Sequence, residues 1–148
     1  MIYQVEVTKE YTKWMHNNKL HREDGPAVEL ADGTKYWCRN GKYHRDDGPA
    51  IELANGTKKW YRNGKYHRED GPAVEYADGM HPKAWYHNGK LYREDGPAIE
   101  WVDGTKEYWL NGKQLSETDY NLAINSKKAP CADKRVTVDG IKYKLVPI

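Results

Sequence analysis

Apolar and polar residues alternate in short runs along most of this chain. Val28 and Leu30 flank Glu29, and the same two-residue spacing recurs at Ile51 and Leu53. A period of two is typical of a β-strand with one buried face, and Asn-Gly or Asp-Gly pairs separate the runs. No helical period runs through this part of the chain, so the pattern predicts an all-β protein built from short strands.

One sequence unit recurs along the chain. Asp-Gly-Pro-Ala occurs at residues 24–27, 47–50, 70–73 and 95–98, at spacings of 23, 23 and 25 residues. The array extends from Asn17 to about Leu110, and the two additional residues of the longer copy lie in a turn at Met80-His81-Pro82. A fixed period of this length predicts a repeat architecture in which each unit is one supersecondary element.

Two turn signals in each unit predict two hairpins. Asn40-Gly41 predicts a two-residue turn that places Cys38 opposite Tyr43. A three-residue loop at 31–33, with its glycine in the left-handed region, pairs opposite charges across the strands of each unit. These predicted pairs are Glu29 with Lys35, Glu52 with Lys58, and Glu100 with Lys106.

Strand alternation then assigns the side chains to two faces. The apolar face is predicted to be the core: Val28, Leu30, Tyr36, Cys38, Tyr43, Ile51, Leu53, Tyr61, Tyr66, Val74, Tyr76, Tyr86, Leu91, Ile99, Trp101 and Trp109. The opposite face places a tryptophan among charged residues in each unit: Trp37, Arg39, Lys42 and His44, then Lys58, Trp60, Arg62, Lys65 and His67, then Lys83, Trp85, His87, Lys90 and Tyr92. Gly and Pro in Asp-Gly-Pro-Ala predict a bend between one hairpin and the next.

The segments outside the array are predicted to cover its ends, because an open β array needs caps. Ser116 is expected to cap a short helix that contains Tyr120 and Ile124. Residues 127–130 are predicted to form a loop, and Asp139-Gly140 predicts a closing hairpin.

The fold expected from these patterns is an elongated antiparallel meander of about four 23-residue β-hairpin repeats. Its predicted parts are an N-terminal strand and half-repeat cap at 1–16, the repeats at 17–110, and a C-terminal cap of short helix plus hairpin at 111–148.

Composition agrees with a small folded protein that has little interior. The chain has 148 residues, 38% of them hydrophobic, a mean hydropathy of −1.05 and a net charge of +2. Six Trp and twelve Tyr with no Phe supply rings that carry a polar atom, which suits thin sheets. The sequence contains no apolar stretch of membrane-spanning length and no signal-peptide pattern at its start, so we expect a cytoplasmic protein.

Metal binding and catalysis are both disfavoured by the pattern. Cys38 and Cys131 form no CxxC spacing and are expected to be reduced thiols. Histidines that recur once per repeat would lie about 9.5 Å apart, at about 4.75 Å per strand, too far to share one zinc ion. Each is followed by Arg and, two residues later, Asp, and we expect the His to stack on the cross-strand Trp while the Asp caps the bend.

The tryptophan column of Trp14, Trp37, Trp60 and Trp85 has two interpretations. A row of rings flanked by Lys and Arg suits a binding face that clamps a protein or stacks on bases. The same rings also suit a second core layer covered by the stems of basic side chains. The sequence leaves both open.

The 23-residue period, with an Asn-Gly-Lys turn after a Trp-containing strand, resembles the MORN repeat, a β-hairpin module. The unit Trp-x-x-Asn-Gly-Lys-x-His-Arg-x-Asp-Gly-Pro-Ala is more similar to repeats in uncharacterised bacterial, phage and large-virus proteins. This resemblance implies a binding scaffold with no known reaction. MORN proteins are mostly adaptors that hold protein partners on an aromatic groove.

The leading functional hypothesis is therefore a non-enzymatic protein-binding scaffold without metal or cofactor. The resemblance extends this to a phage or bacterial accessory protein that inhibits a host defence protein in the host cytoplasm. Its expected partner-binding residues are Trp37, Arg39, Lys58, Trp60, Arg62, Lys65, Trp85 and His87. The alternative is a nucleic-acid or nucleotide-binding module on the same face, although a pI of 8.4 is low for one. An enzyme ranks third, and self-association through sheet edges is also considered.

Overall fold

A computed structural model describes residues 2–128, 135–138 and 141–144 of the chain. The chain divides into two units, residues 1–114 and 115–148. The regular secondary structure of the described part is β-strand apart from one helix, so the predicted all-β antiparallel meander is confirmed.

The strands are short and follow the predicted repeat. Their bounds are β1 Gln4–Val7, β2 Tyr11–His16, β3 Lys19–Leu20, β4 Val28–Leu30, β5 Lys35–Tyr36, β6 Cys38–Arg39, β7 Lys42–Tyr43, β8 Ile51–Glu52, β9 Lys58–Lys59, β10 Tyr61–Arg62, β11 Lys65–Tyr66, β12 Val74–Glu75, β13 Lys83–Ala84, β14 Tyr86–His87, β15 Lys90–Leu91, β16 Ile99–Glu100, β17 Lys106–Leu110, β18 Lys113–Leu115, β19 Arg135–Val138 and β20 Ile141–Lys144. The helix α1 spans Glu117–Lys128.

Each repeat contains two kinds of hairpin. The sheet hairpins, β4–β5, β8–β9, β12–β13 and β16–β17, join edge to edge into one antiparallel sheet that β1 and β2 extend at one side. The Asn-Gly hairpins, β6–β7, β10–β11 and β14–β15, each form a separate two-stranded sheet. The main chain leaves the first kind and enters the second at Trp37 and at its equivalents.

The predicted hairpin registers are confirmed. Cys38 pairs with Tyr43 and Glu29 pairs with Lys35, and the equivalent pairs recur in later repeats. Asn40 and Gly41 have φ of 52° and 77°, which is the left-handed geometry that a type I′ turn requires at both positions.

The core is narrower than predicted. In the repeats it consists of the Ala of each Asp-Gly-Pro-Ala, the β-branched residue after the first three, and Cys38: Ala27, Val28, Cys38, Ala50, Ile51, Ala73, Val74 and Ala98. Tyr120 and Ile124 are the buried apolar residues of the helix. Burial raises the pKa of the Cys38 thiol to about 11, so this thiol stays protonated at neutral pH. Cys131 lies outside the described residues.

The aromatic part of the predicted core is partly exposed. Tyr43 is 38% exposed and Trp101 is 43% exposed. Ring centroids 5.4 Å apart at Tyr43 and Tyr61, and 4.2 Å apart at Tyr61 and Tyr66, make a row of tyrosines rather than a sealed interior. The physical reason is the change of direction at each Trp, which prevents the two hairpins of a repeat from sharing one continuous face.

The C-terminal unit contains the predicted helix and hairpin. Ser116 caps α1, since the Asp119 backbone N–H donates to its Oγ at 3.1 Å. The prediction that Lys127 and Lys128 lie in a loop is wrong, because α1 continues through both. β19 pairs with β20, and the predicted turn at Asp139-Gly140 lies outside the described residues. That the two terminal segments act as caps stays a prediction.

Candidate binding site

Each tryptophan of the column is held by its own main chain at the junction of the two hairpins. The Trp37 N–H donates to the Ala50 carbonyl at 2.8 Å, and the Trp37 carbonyl accepts the His44 N–H at 3.0 Å. Trp60 and Trp85 make the equivalent bonds. The rings are therefore fixed where the chain bends, and they are half-buried.

An arginine covers each ring. The Arg45 guanidinium carbon lies 4.1 Å from the Trp37 ring centroid. Its Nε donates to Asp47 at 3.0 Å, and Nη1 donates to the Pro49 carbonyl at 3.3 Å and to Glu52 at 3.1 Å. The same arrangement, called here the arginine lock, recurs at Arg22 over Trp14, Arg68 over Trp60 and Arg93 over Trp85.

The glycine of Asp-Gly-Pro-Ala leaves room for this lock. A Cβ on Gly71 would lie 2.8 Å from the Arg68 guanidinium carbon, and one on Gly48 would lie 3.0 Å from that of Arg45. The backbone φ of these glycines is not in the left-handed region. Glycine is required here because a side chain would collide with the guanidinium.

The repeated histidines are buried, and His44 and His67 line the same grooves as Trp37 and Trp60. The Asn63 backbone N–H donates to His44 Nδ1 at 3.2 Å, and the Asn88 N–H donates to His67 Nδ1 at the same distance. Each histidine thus connects its repeat to the Asn-Gly turn of the next.

The Nε2 side of these rings faces carboxylates. His44 Nε2 lies 3.2 Å from Asp46. This hydrogen bond, assisted by the nearby arginines Arg39 and Arg62, holds the pKa of Asp46 below its usual value. In the fourth copy Tyr92 replaces histidine and donates its hydroxyl proton to Glu94.

The aspartate of Asp-Gly-Pro-Ala is held by the lock as well. The hydrogen bonds from Arg45 and Arg68 lower the pKa of Asp47 and Asp70, respectively. For Arg93, burial alone lowers the pKa of the guanidinium, but hydrogen bonds to Asp95 and Glu100 outweigh it and raise the pKa. At neutral pH the aspartate and the arginine of each lock are therefore both ionised, and their hydrogen bonds persist.

Three open grooves lie between successive Asp-Gly-Pro-Ala loops, each with one tryptophan of the column in its lining. The first groove, about 390 Å³, contains Trp37 and Arg39. The second, about 370 Å³, contains Trp60 and Arg62. The third, about 520 Å³, contains Trp85 and His87.

The structure therefore brings together six of the eight residues expected to bind a partner, as three pairs in three grooves. Lys58 and Lys65 lie elsewhere. Lys58 pairs with Glu52 in the main sheet. The stem of Lys65 lies against the next Asn-Gly turn, where a Cβ on Gly89 would be 3.4 Å from the Lys65 Cβ.

The acidic residues are what sequence reasoning missed at this site. Four carboxylates line every groove; those of the second are Asp46, Asp47, Glu69 and Asp70. The signal was present in the sequence, since the His-Arg-x-Asp-Gly-Pro segment has the same period as the tryptophans.

No group of residues suited to hold a metal ion occurs within residues 2–128, 135–138 and 141–144. In that same part of the chain, no helix is long and apolar enough to cross a membrane. No family model, curated protein or solved structure matches this chain.

Proposed function

We propose that this protein is a non-enzymatic scaffold that binds a protein partner along the three grooves. The observation that supports this most directly is the rigid presentation of Trp37, Trp60 and Trp85. Main-chain hydrogen bonds fix the backbone of each tryptophan, and the arginine of a lock packs against its ring. A ring that is already ordered loses little entropy on binding, and buried aromatic and Arg anchors carry most interface energy.

The groove charges favour a protein over a nucleic acid. Each groove contains four carboxylates and only two or three arginines. Arg45, Arg68 and Arg93 are already engaged in their locks, so a phosphate would enter a groove whose carboxylates outnumber its arginines. Nucleic-acid binding on this face is the alternative, and the experiment below includes it as an outcome.

The test is affinity capture from a cell lysate with three forms of the protein. The Arg39→Ala/Arg62→Ala double variant removes two partly exposed groove side chains, 48% and 40% exposed, and leaves the lock arginines in place. A Lys42→Ala/Lys65→Ala double variant removes equal charge outside the grooves and is the matched control. Trp60→Ala is less informative, because it also removes the support of Arg68.

We expect a captured protein to survive nuclease treatment, to remain with the lysine control, and to bind the arginine variant at least tenfold more weakly. Equal capture by the arginine and lysine variants would reject the grooves as the site. Loss of capture on nuclease treatment, with a steep dependence of affinity on salt, would support the nucleic-acid alternative instead.

Inhibition of a host defence protein, a phage or bacterial origin and a cytoplasmic location stay predictions from the resemblance. The captured partner tests the first of these, since an inhibitor's partner loses its activity when bound. Self-association through the sheet edges is tested by the mass of the purified protein in solution.

A further inference from the structure

One lysine follows the turn of each narrow hairpin, and these lysines form a row along the array, called here the lysine row. Its members are all exposed: Lys19, Lys42, Lys65, Lys90 and Lys113. The two additional residues of the longer repeat lie between β12 and β13, so they leave the spacing of the row unchanged. Successive lysines are two strands apart, about 9.5 Å at about 4.75 Å per strand. None of them lines one of the three grooves.

The stems of these lysines are ordered by the next turn. A Cβ on Gly41 would lie 3.6 Å from Cβ, 3.7 Å from Cγ and 3.8 Å from Cδ of Lys19. The equivalent contacts join Lys42 to Gly64, Lys65 to Gly89 and Lys90 to Gly112. A stem that is already packed loses less conformational entropy when its ammonium group binds a ligand.

The lysine row is a line of positive charge. Lys42 lies opposite Arg39 in its hairpin, and Lys65 lies opposite Arg62. Like charges at facing strand positions destabilise a hairpin, so an anion bound on this edge would relieve the repulsion. Within the residues that the structure describes, none of the five lysines forms an ion pair with a carboxylate, whereas Lys13 does so with Glu6.

The lysines of the main sheet have different neighbours. Lys58 lies opposite Glu52 on one side and Glu75 on the other. Lys83 lies opposite Glu100. Carboxylates on facing strands therefore offset the charge of the main-sheet lysines but not that of the lysine row.

We propose that the lysine row binds an extended acidic segment of a protein, with one carboxylate against each lysine. This site is separate from the grooves and goes beyond the proposed function. In the polyproline II conformation every third residue lies on the same side of the chain, about 9.3 Å apart at about 3.1 Å per residue. A segment with Asp or Glu at every third position therefore matches the spacing of the lysines.

A single-stranded nucleic acid suits the row less well. Sites for such strands add aromatic rings, on which the bases stack, to the positive charge. The turns of the row consist of Asn, Gly and Lys. The rings that come next in the chain, Tyr43 and Tyr66, lie on the opposite face of their hairpins, because side chains alternate along a strand.

The probe is a blocked, fluorescently labelled peptide of five Pro-Pro-Glu units, a sequence that favours polyproline II. One control peptide has the same composition with its glutamates contiguous, and a second has glutamine in place of glutamate. Fluorescence anisotropy measures the dissociation constants. We expect the spaced peptide to bind about fivefold more tightly than the contiguous one, and its affinity to fall as salt is added. The glutamine peptide should not bind.

Two double variants locate the site on the protein. Lys42→Gln/Lys65→Gln removes two charges of the row and keeps the part of each stem that packs on the next turn. Lys58→Gln/Lys83→Gln removes the same charge from the main sheet. The first variant should weaken the spaced peptide about fivefold, and the second should change its affinity less than about twofold.

Equal weakening by the two double variants would overturn the inference, because net charge alone would then explain the binding. Equal affinity for the spaced and contiguous peptides would overturn it too. A thymidine oligonucleotide of the same charge that binds more tightly than the spaced peptide would reject an acidic protein segment as the ligand. The proposed function fails separately, when no captured protein depends on Arg39 and Arg62.

Discussion

The two kinds of hairpin in each repeat have similar sequences of alternating residues but are held together differently. Sheet hairpins join their neighbours by strand pairing, as at β5 and β8, where Tyr36 lies opposite Ile51. Asn-Gly hairpins meet their neighbours through single backbone bonds, such as the Gly64 N–H to the Tyr43 carbonyl, and through the His44 contact with Asn63. Continuous strand pairing thus joins the repeats on one side, and isolated backbone bonds with polar side-chain contacts join them on the other.

The arginine lock connects these two sides. Arg45 comes from the segment that follows an Asn-Gly hairpin, and it contacts Trp37 at the bend and Glu52 in the main sheet. The opposite-charge pairs predicted between Glu and Lys on facing strands have the right register, but the Glu carboxylates bind the lock arginines. The row of locks both supports the tryptophans and shapes the grooves.

The largest effect is expected on the sheet side. Ile51→Ala should lower the free energy of unfolding by about 2–5 kcal/mol, because Ile51 is buried in β8 and the substitution leaves a cavity. Lys58→Ala, on exposed β9, should change it by less than about 0.5 kcal/mol. Urea unfolding measures both, and equal losses would show that the sheet side does not depend on this burial.

The lock is tested by a pair of glycine variants. Gly71→Ala should cost about 1.5–3 kcal/mol, because the new Cβ displaces the Arg68 guanidinium from charged partners. Gly96→Ala should cost less, since the corresponding distance to the Arg93 guanidinium carbon is 3.3 Å. Urea unfolding of the two variants provides the comparison, and a greater loss in Gly96→Ala would contradict the assigned role of the lock.

The Asn-Gly side is tested at His67. His67→Ala leaves the Asn88 N–H without its acceptor, and we expect a loss of about 1–3 kcal/mol. Hydrogen exchange at the Asn88 amide should accelerate in this variant. His81→Ala, at an exposed histidine in the turn of the longer repeat, should affect neither quantity. An unchanged exchange rate at the Asn88 amide would show that the histidine contact does not hold successive repeats together.

The smallest expected effect is the loss of stability at acidic pH. The folded state lowers the pKa of Asp70 through its bond to Arg68, so this stabilisation is present above the ordinary aspartate pKa and is lost as pH falls through the lowered value. The melting temperature should fall on acidification, and Asp70→Asn should reduce the fall. Glu10→Gln is the control at a carboxylate outside the locks. An identical acid profile for wild type and Asp70→Asn would exclude this contribution.

Much of the fold could be predicted because it depends on neighbouring residues. Asn40-Gly41 determines its own turn, and the two-residue period determines which residues face each other across it. The strand registers and the Ser116 cap are both of this kind. The same reasoning located the tryptophan, arginine and histidine pairs of the grooves.

What the tertiary structure decided depends on contacts between repeats. The alternating pattern places His44 beside Trp37, and both line the first groove, but the pattern does not show that His44 is buried against the Asn-Gly turn of the next repeat or that Tyr43 is partly exposed. The arginine that covers each ring also lies beyond the Asn-Gly turn in the chain, so its contact with the ring is not given by the pattern of one strand. A period of two describes one flat strand, and it carries no information about where a chain changes direction. The sequence by itself therefore determined the hairpins, and the packing of one repeat on the next determined the locks and the grooves.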